Sequence, residues 1–65
     1  MAGQDCVIAM YDFDGIDETE LNLKEGQVLV VTDRDPSGWW VGYLLNEDST
    51  KSGLFPANYV EPYKG

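Results

Sequence analysis

Residues 39 and 40 are both tryptophan, the only two in the chain, and they follow Gly38. In an extended segment, neighbouring side chains point to opposite faces. One indole can then close a core only if the other stands on the outside. An exposed indole is a costly surface unless it contacts something, because it offers a large flat apolar face with one N–H donor at its edge. Six further rings join the pair: Tyr11, Phe13, Tyr43, Phe55, Tyr59 and Tyr63. The chain has 65 residues, and a domain of that size buries only roughly 60% of its unfolded surface. It cannot enclose eight large rings. Some of them must form a surface.

The rest of the chain reads as short strands separated by turn chemistry. Cys6-Val7-Ile8-Ala9-Met10 is a short apolar run that fits a strand. Tyr11 to Glu20 is polar and acidic and reads as a loop. In the return limb Glu20-Leu21-Asn22-Leu23, Leu21 and Leu23 alternate onto one face. Lys24-Glu25-Gly26 is a turn, with Gly26 free to take positive φ. Gln27 to Thr32 is the strongest strand, rich in β-branched residues; both its faces are apolar, so periodicity leaves its inward side open. Asp35-Pro36-Ser37-Gly38 carries the signature of a type I turn, with Asp first, Pro second and Gly fourth. Trp39 to Leu45 is the next strand, with Gly42 marking a close approach or a kink. Asn46 to Ser52 is a seven-residue polar loop, expected to be mobile. Gly53-Leu54-Phe55 is a strand ended by Pro56, Ala57-Asn58-Tyr59 suits one 3₁₀ turn, and Val60-Glu61 is a last short strand before Pro62. No stretch sustains a helical period. Residues 1–65 are read as one all-β domain, a small barrel or sandwich whose core spans about residues 6–62.

Composition removes several function classes. With no histidine and one cysteine, Cys6, neither a structural zinc site nor a nucleophile–base–orienter set can be assembled. The glycines are scattered, so no phosphate-cradling loop is present. The acids lack the spacing of a calcium loop. The chain is therefore read as no enzyme and as needing no cofactor. Twelve acids against four bases leave a net charge of −8, which disfavours nucleic acid and anionic membrane and favours a basic partner. No apolar run approaches a membrane span, and the lone cysteine fits a cytoplasmic protein without disulfides. Asp12, Asp14, Asp17, Glu18 and Glu20 fall within nine residues. A charge run of this kind is commonly only a solvated loop.

The aromatics give it another use. Tyr11 and Phe13, two apart, share one face of an extended segment; Pro56 and Tyr59, three apart, share one side of a 3₁₀ turn. Brought next to Trp39 they make a shallow ridged surface. Such a surface suits a ligand that is already extended, as a polyproline II segment is, with prolines packing between the ridges.

At this point the residues resemble a known family. Ala9-Met10-Tyr11-Asp12-Phe13 is similar to the Ala-Leu-Tyr-Asp-Tyr motif that opens SH3 domains. Glu20-Leu21-Asn22-Leu23 with Lys24-Glu25-Gly26 resembles the segment after their RT loop. Gly38-Trp39-Trp40 and Gly53-Leu54-Phe55-Pro56-Ala57-Asn58-Tyr59-Val60 resemble the other two signatures. The motifs come in family order. The resemblance implies a five-stranded barrel of two packed antiparallel sheets with one short 3₁₀ turn. It also implies a monomeric interaction module for proline-rich PxxP segments, of other proteins or of its own parent chain. Tyr11 and Tyr59 would wall one proline pocket; Phe13, Trp39, Pro56 and Tyr59 would form the second. The Trp39 indole and Asn58 would hydrogen-bond ligand carbonyls. Glu20, with Asp17 and Glu18, would pair with a ligand Arg or Lys, Arg being favoured by its planar fork.

By the same register Val7, Ala9, Leu21, Leu23, Leu29, Val31, Gly42, Phe55 and Val60 form the core, and Trp39 rather than Trp40 faces the ligand. Phe13 departs from the usual Tyr and loses a hydroxyl. Met10 replaces Leu at nearly constant volume. The Asn46–Ser52 loop is longer than in many family members and is expected at the far end from the groove. Two rival readings remain: a Tudor-like aromatic cage for methylated Lys or Arg, and an internal regulator that docks on its own parent enzyme.

Overall fold

The run Val28, Val30, Val31 and Thr32 suits a pleated surface better than a helix, because branching at Cβ leaves few rotamers against a helical turn. It forms the central strand of a five-stranded antiparallel sheet. A computed structural model describes residues 5–16 and 18–63. The strands are β1 (Cys6–Ala9), β2 (Val28–Arg34), β3 (Trp39–Leu44), β4 (Gly53–Pro56) and β5 (Val60–Pro62). β2 pairs with β1 through Cys6↔Val30 and Ile8↔Val28. It pairs with β3 through Leu29↔Leu44, Val30↔Tyr43 and Val31↔Gly42.

The spatial order is β4-β3-β2-β1-β5 in one continuous ladder. The two packed layers expected of the barrel are halves of this one sheet. Phe55 of β4 and Val60 of β5 come from its opposite edges. Yet they share one buried cluster with Val7, Ala9, Leu23, Leu29 and Val31, so the sheet curls until its ends meet over one core.

Two details allow that curl. The register of β2 against β3 shifts between Val31 and Asp33, a bulge, which bends and twists a ladder locally. Opposite it, a Cβ on Gly42 would lie 2.3 Å from the Val30 carbonyl oxygen and 3.2 Å from Phe55 Cε2. Only glycine lets β3 approach β2 and the Phe55 ring this closely.

The expected core is buried at Val7, Ala9, Leu23, Leu29, Val31, Gly42, Phe55 and Val60. Leu21 is half-buried and packs on the margin of the cluster. Val30, not expected in the core, is buried on the other side of β2. The return limb 20–23 makes single bridges, Phe13↔Leu23 and Glu20↔Leu54, rather than a strand. β2 runs two residues past the expected end at Thr32, and Pro56 closes β4 as its last residue. The polar loop 46–52 holds a second 3₁₀ turn, Ser49–Lys51, whose N-terminal Asp48 accepts from the Thr50 N–H at 3.1 Å. Residues 49–51 of the loop thus form a capped turn.

Trp40 lies opposite Phe55 across the β3–β4 ladder and packs against the core. The Arg34 guanidinium sits over its ring, 4.5 Å from the centroid. Asp5 holds that guanidinium through both oxygens, one at 2.9 Å from Nη2. The hydrogen bond from Arg34 holds the Asp5 carboxyl below its ordinary value, and the same bond raises Arg34. A lowered carboxylate contributes stability above its unfolded value and loses it as pH falls through the folded one. Both side chains are close to half exposed, so the pair is worth less than about 1 kcal/mol. The indole matters more. Trp40→Ala should destabilise the domain by about 2–3 kcal/mol, read as a fall in the urea midpoint, while peptide affinity of the remaining folded fraction changes less than about threefold.

Candidate functional site

The site is built at the start of β3. Asp35-Pro36-Ser37-Gly38 forms the expected turn, closed by the Gly38 N–H donating to the Asp35 carbonyl at 3.1 Å. The Asp35 carboxylate accepts from the Ser37 N–H at 2.9 Å, and that bond lowers its pKa. Gly38 leaves the turn with φ 98°, a left-handed value that glycine takes without a Cβ clash. Its carbonyl then accepts from the Ala57 N–H at 2.8 Å. That bond fixes the 3₁₀ turn Ala57–Tyr59 beside the first residue of β3.

Alternation does the rest. Trp40 points to the core, so Trp39 points out, directly opposite Pro56 in the β3–β4 ladder. Trp39 is 37% exposed, and its indole N–H has no acceptor among the described residues.

Four rings make a connected row. Tyr11 and Tyr59 meet edge-to-face with centroids 5.7 Å apart, Tyr59 and Phe13 at 5.7 Å, and Phe13 and Trp39 at 5.9 Å. Interplanar angles of 64–79° are the T-shaped contacts that aromatic quadrupoles favour. Backbone bonds hold both ends. The Met10 N–H donates to the Tyr59 carbonyl at 2.8 Å, and Phe13 exchanges two bonds with Leu23 at 2.8 and 3.0 Å. Tyr11 is 58% exposed; Phe13, Pro56 and Tyr59 are half-buried, and Asn58 is exposed. All six aromatic, proline and amide positions expected from the sequence thus lie in or beside one surface row.

The acidic loop is less uniform than its composition implies. The Glu20 carboxylate turns inward, and its Oε1 accepts from the Ile16 N–H at 2.7 Å. Asn22 Oδ1 accepts from the Gly15 N–H at 2.7 Å. These bonds pin the loop across its width and leave Ile16 at its tip, 92% exposed. Asp12 also works within the fold, since its Oδ1 accepts from the Glu25 N–H at 2.8 Å and ties the start of the loop to the next turn. Glu18 is exposed, and Asp17 lies outside the described residues. Of the three acids expected to meet a basic ligand residue, Glu20 therefore has one oxygen already engaged.

Asn22 and Asp12 are the supporting residues that a reading by charge and hydropathy passes over. Asx side chains close to turns are the only signal for them. A hollow between Glu20, Leu21 and Asn22 on one side and Leu44, Glu47 and Lys51 on the other sets the 46–52 loop beside the return limb of the acidic loop. Among the described residues no group of His, Cys, Asp and Glu is placed to hold a metal ion, and no helix is long and apolar enough to cross a membrane.

Known proteins are similar to this chain in sequence and in fold. Residues 9–61 match the family described as the variant SH3 domain. Myosin heavy chain IB of Acanthamoeba castellanii is 46% identical over 55 residues, which cover 85% of this chain and 4% of that protein. Mouse endophilin-A3 is 42% identical over 60 residues, 92% of this chain and 16% of that protein. The chain thus spans only a small part of the curated relatives it matches. Among solved structures, the C-terminal SH3 domain of myosin IB from Entamoeba histolytica, bound to a peptide named EhFP10(GEF), superposes with a TM-score of 0.81. It has 30% identity and covers 98% of this chain and 100% of that one. The SH3 domain of yeast NBP2 gives 0.82 at 31% identity, over 95% of this chain and 100% of that one. With the curled five-stranded sheet and the signature segments in order, these matches establish that the chain belongs to the SH3 family of small protein-interaction domains.

Proposed function

We propose that the row Tyr11–Tyr59–Phe13–Trp39, with Pro56 and Asn58, is a groove for proline-rich PxxP segments carrying an Arg or Lys. The observation that carries the reading is the order of the ring contacts. Each ring meets the next edge-to-face, which makes ridges with furrows between them. A left-handed polyproline helix repeats every three residues and can seat its prolines in such furrows at little entropic cost. Tyr11 and Tyr59 wall one furrow; Phe13, Trp39, Pro56 and Tyr59 wall the next. The Trp39 N–H and the exposed Asn58 amide would bond ligand carbonyls. A methyl-lysine cage needs rings converging around one cation; here each ring meets the next in series, which favours the groove. The peptide bound to the myosin IB relative points the same way. The domain acts by binding, as a monomer without chemistry or cofactor of its own, in the cytoplasm. Its ligand can equally sit in a longer parent chain.

The groove is small, so the affinity is expected on the order of micromolar. Glu18, Asp17 and Glu20 orient the ligand's basic residue, and exposed pairs of this kind select more than they stabilise. Calorimetric titration with two proline-rich peptides, one with Arg and one with Gln in its place, tests both halves. Raising salt should weaken the Arg peptide more than the Gln peptide, because exposed charges are screened over about 10 Å at 0.1 M. Glu20→Gln keeps an acceptor for the Ile16 N–H and removes only the charge, so it should shrink that difference. Equal salt dependence of the two peptides would remove the acids from the site. A trimethyl-lysine peptide that shifts the Trp39 indole resonance while neither proline-rich peptide does would replace the groove by a cage.

A further inference from the structure

We infer that a second docking surface lies at the far end of β1–β3 and takes an amphipathic helix of another polypeptide, flanked by Lys or Arg. The register assembles it. On the outward side of the sheet Ile8, Val28 and Leu45 form one row, and Cys6, Val30 and Tyr43 form the next. Neither row belongs to the core cluster. The sheet thus has apolar side chains on both faces, although the core uses only one. Leu45 is 45% exposed, and Ile8, Val28 and Tyr43 are half-buried. Beyond Val28 and Leu45 the surface dips into a hollow of ≈ 360 Å³ lined by Gly26, Gln27 and Asn46 as well. Val30 is buried between Cys6 and Tyr43, so the accessible part is Leu45 with the half-buried Ile8, Val28 and Tyr43 around it. Apolar patches left open to solvent mark interaction sites on soluble proteins.

Width and charge select the occupant. Three neighbouring strands at 4.7–4.9 Å spacing make a face roughly 10 Å across, which matches the diameter of a single helix, about 10–12 Å. The two charged residues that the register puts on this side are both acids: Asp33 beside Val41, and Glu61 beside Ile8. A helix with cations bordering its apolar stripe meets complementary charge there. A second copy of this domain would bring another −8 against the same acids, and an anionic lipid surface is repelled likewise. The surface is separate from the aromatic groove. Trp39 begins the outward side of β3, whereas Tyr43 and Leu45 lie four and six residues on, roughly 13 and 20 Å along an extended strand.

The test uses a Leu/Lys amphipathic helical peptide about four turns long, added to ¹⁵N-labelled domain whose groove is saturated with an Arg-containing proline-rich peptide. Amide shifts should concentrate on Ile8, Val28, Val30, Tyr43 and Leu45 and persist with the groove filled. A peptide of the same composition with scrambled order should bind at least about tenfold more weakly, since it keeps the charge and loses the stripe. Leu45→Lys should weaken the helix about tenfold while leaving the proline-rich titration unchanged, which also reports that the variant is folded. Four results would each overturn the inference: no shifts at about millimolar peptide; shifts on the acidic loop or the groove instead; equal binding of the scrambled peptide or of Leu45→Lys; or the same shifts arising from protein concentration alone, which would make the occupant a second copy.

Discussion

Replacing Trp39 with alanine should leave the domain folded and lower its affinity for a proline-rich peptide by about 2 kcal/mol or more, roughly thirtyfold. Both halves follow from where the indole sits. It points away from the core, opposite Pro56, and its ring contact is to Phe13, another groove residue. Its removal opens no internal cavity, so the unfolding midpoint should move by no more than a few degrees. In the proposed groove it would remove the wall of a furrow and the indole donor offered to a ligand carbonyl. Central aromatic side chains of this kind carry a disproportionate share of interface energy. Calorimetry of unfolding and of peptide titration on the same preparation separates the two effects. Unchanged affinity would remove Trp39 from the binding surface; a collapse in stability would mean that the ring serves the fold.

The asymmetry of the tryptophan pair was half legible in the sequence. Alternation requires one in and one out, but it is symmetric between them, and only the family register chose. The structure gives the physical reason. Phe55 is the fully buried ring of β4 and lies opposite Trp40, while Pro56, one residue on, lies opposite Trp39. The turn at Asp35–Gly38 was readable in full because its chemistry is local: a carboxylate, a fixed φ and a glycine within four residues. Glu20 was not. A carboxylate in an acidic run looks like solvent-facing charge whatever it bonds, and its partner, the Ile16 N–H, is a backbone group exposed only by the path of the loop. Val30 failed for a similar reason. Periodicity marks a face as apolar, but its burial depends on what flanks it, here Cys6 and Tyr43 in register on either side. The 3₁₀ turn at Ser49–Lys51 rests on the capping side chain of Asp48, a signal present in the sequence but drowned in a polar loop.

Phe55→Ala should do the reverse of Trp39→Ala: most of the stability lost, the intrinsic affinity kept. Phe55 is 0% exposed, and its ring edge would come within 3.2 Å of a Cβ on Gly42. It therefore fills the space that the missing side chain leaves between β3 and β4. Removing such a ring costs about 3–5 kcal/mol, through lost transfer energy and through a cavity that a curled sheet cannot collapse into. Small domains of this length hold about 3–10 kcal/mol in total, so the variant should be largely unfolded near 25 °C or marginally folded. Saturating proline-rich peptide should recover part of the folded signal, because a ligand that binds only the native state adds RT ln(1 + [L]/Kd). Circular dichroism during the peptide titration measures this. The ring row of the groove does not include Phe55. The folding constant and the binding constant should therefore separate cleanly, with the fitted intrinsic Kd within about threefold of the parent domain. If Phe55→Ala stays fully folded and binds weakly, the core and the groove have been assigned to the wrong sides of β4.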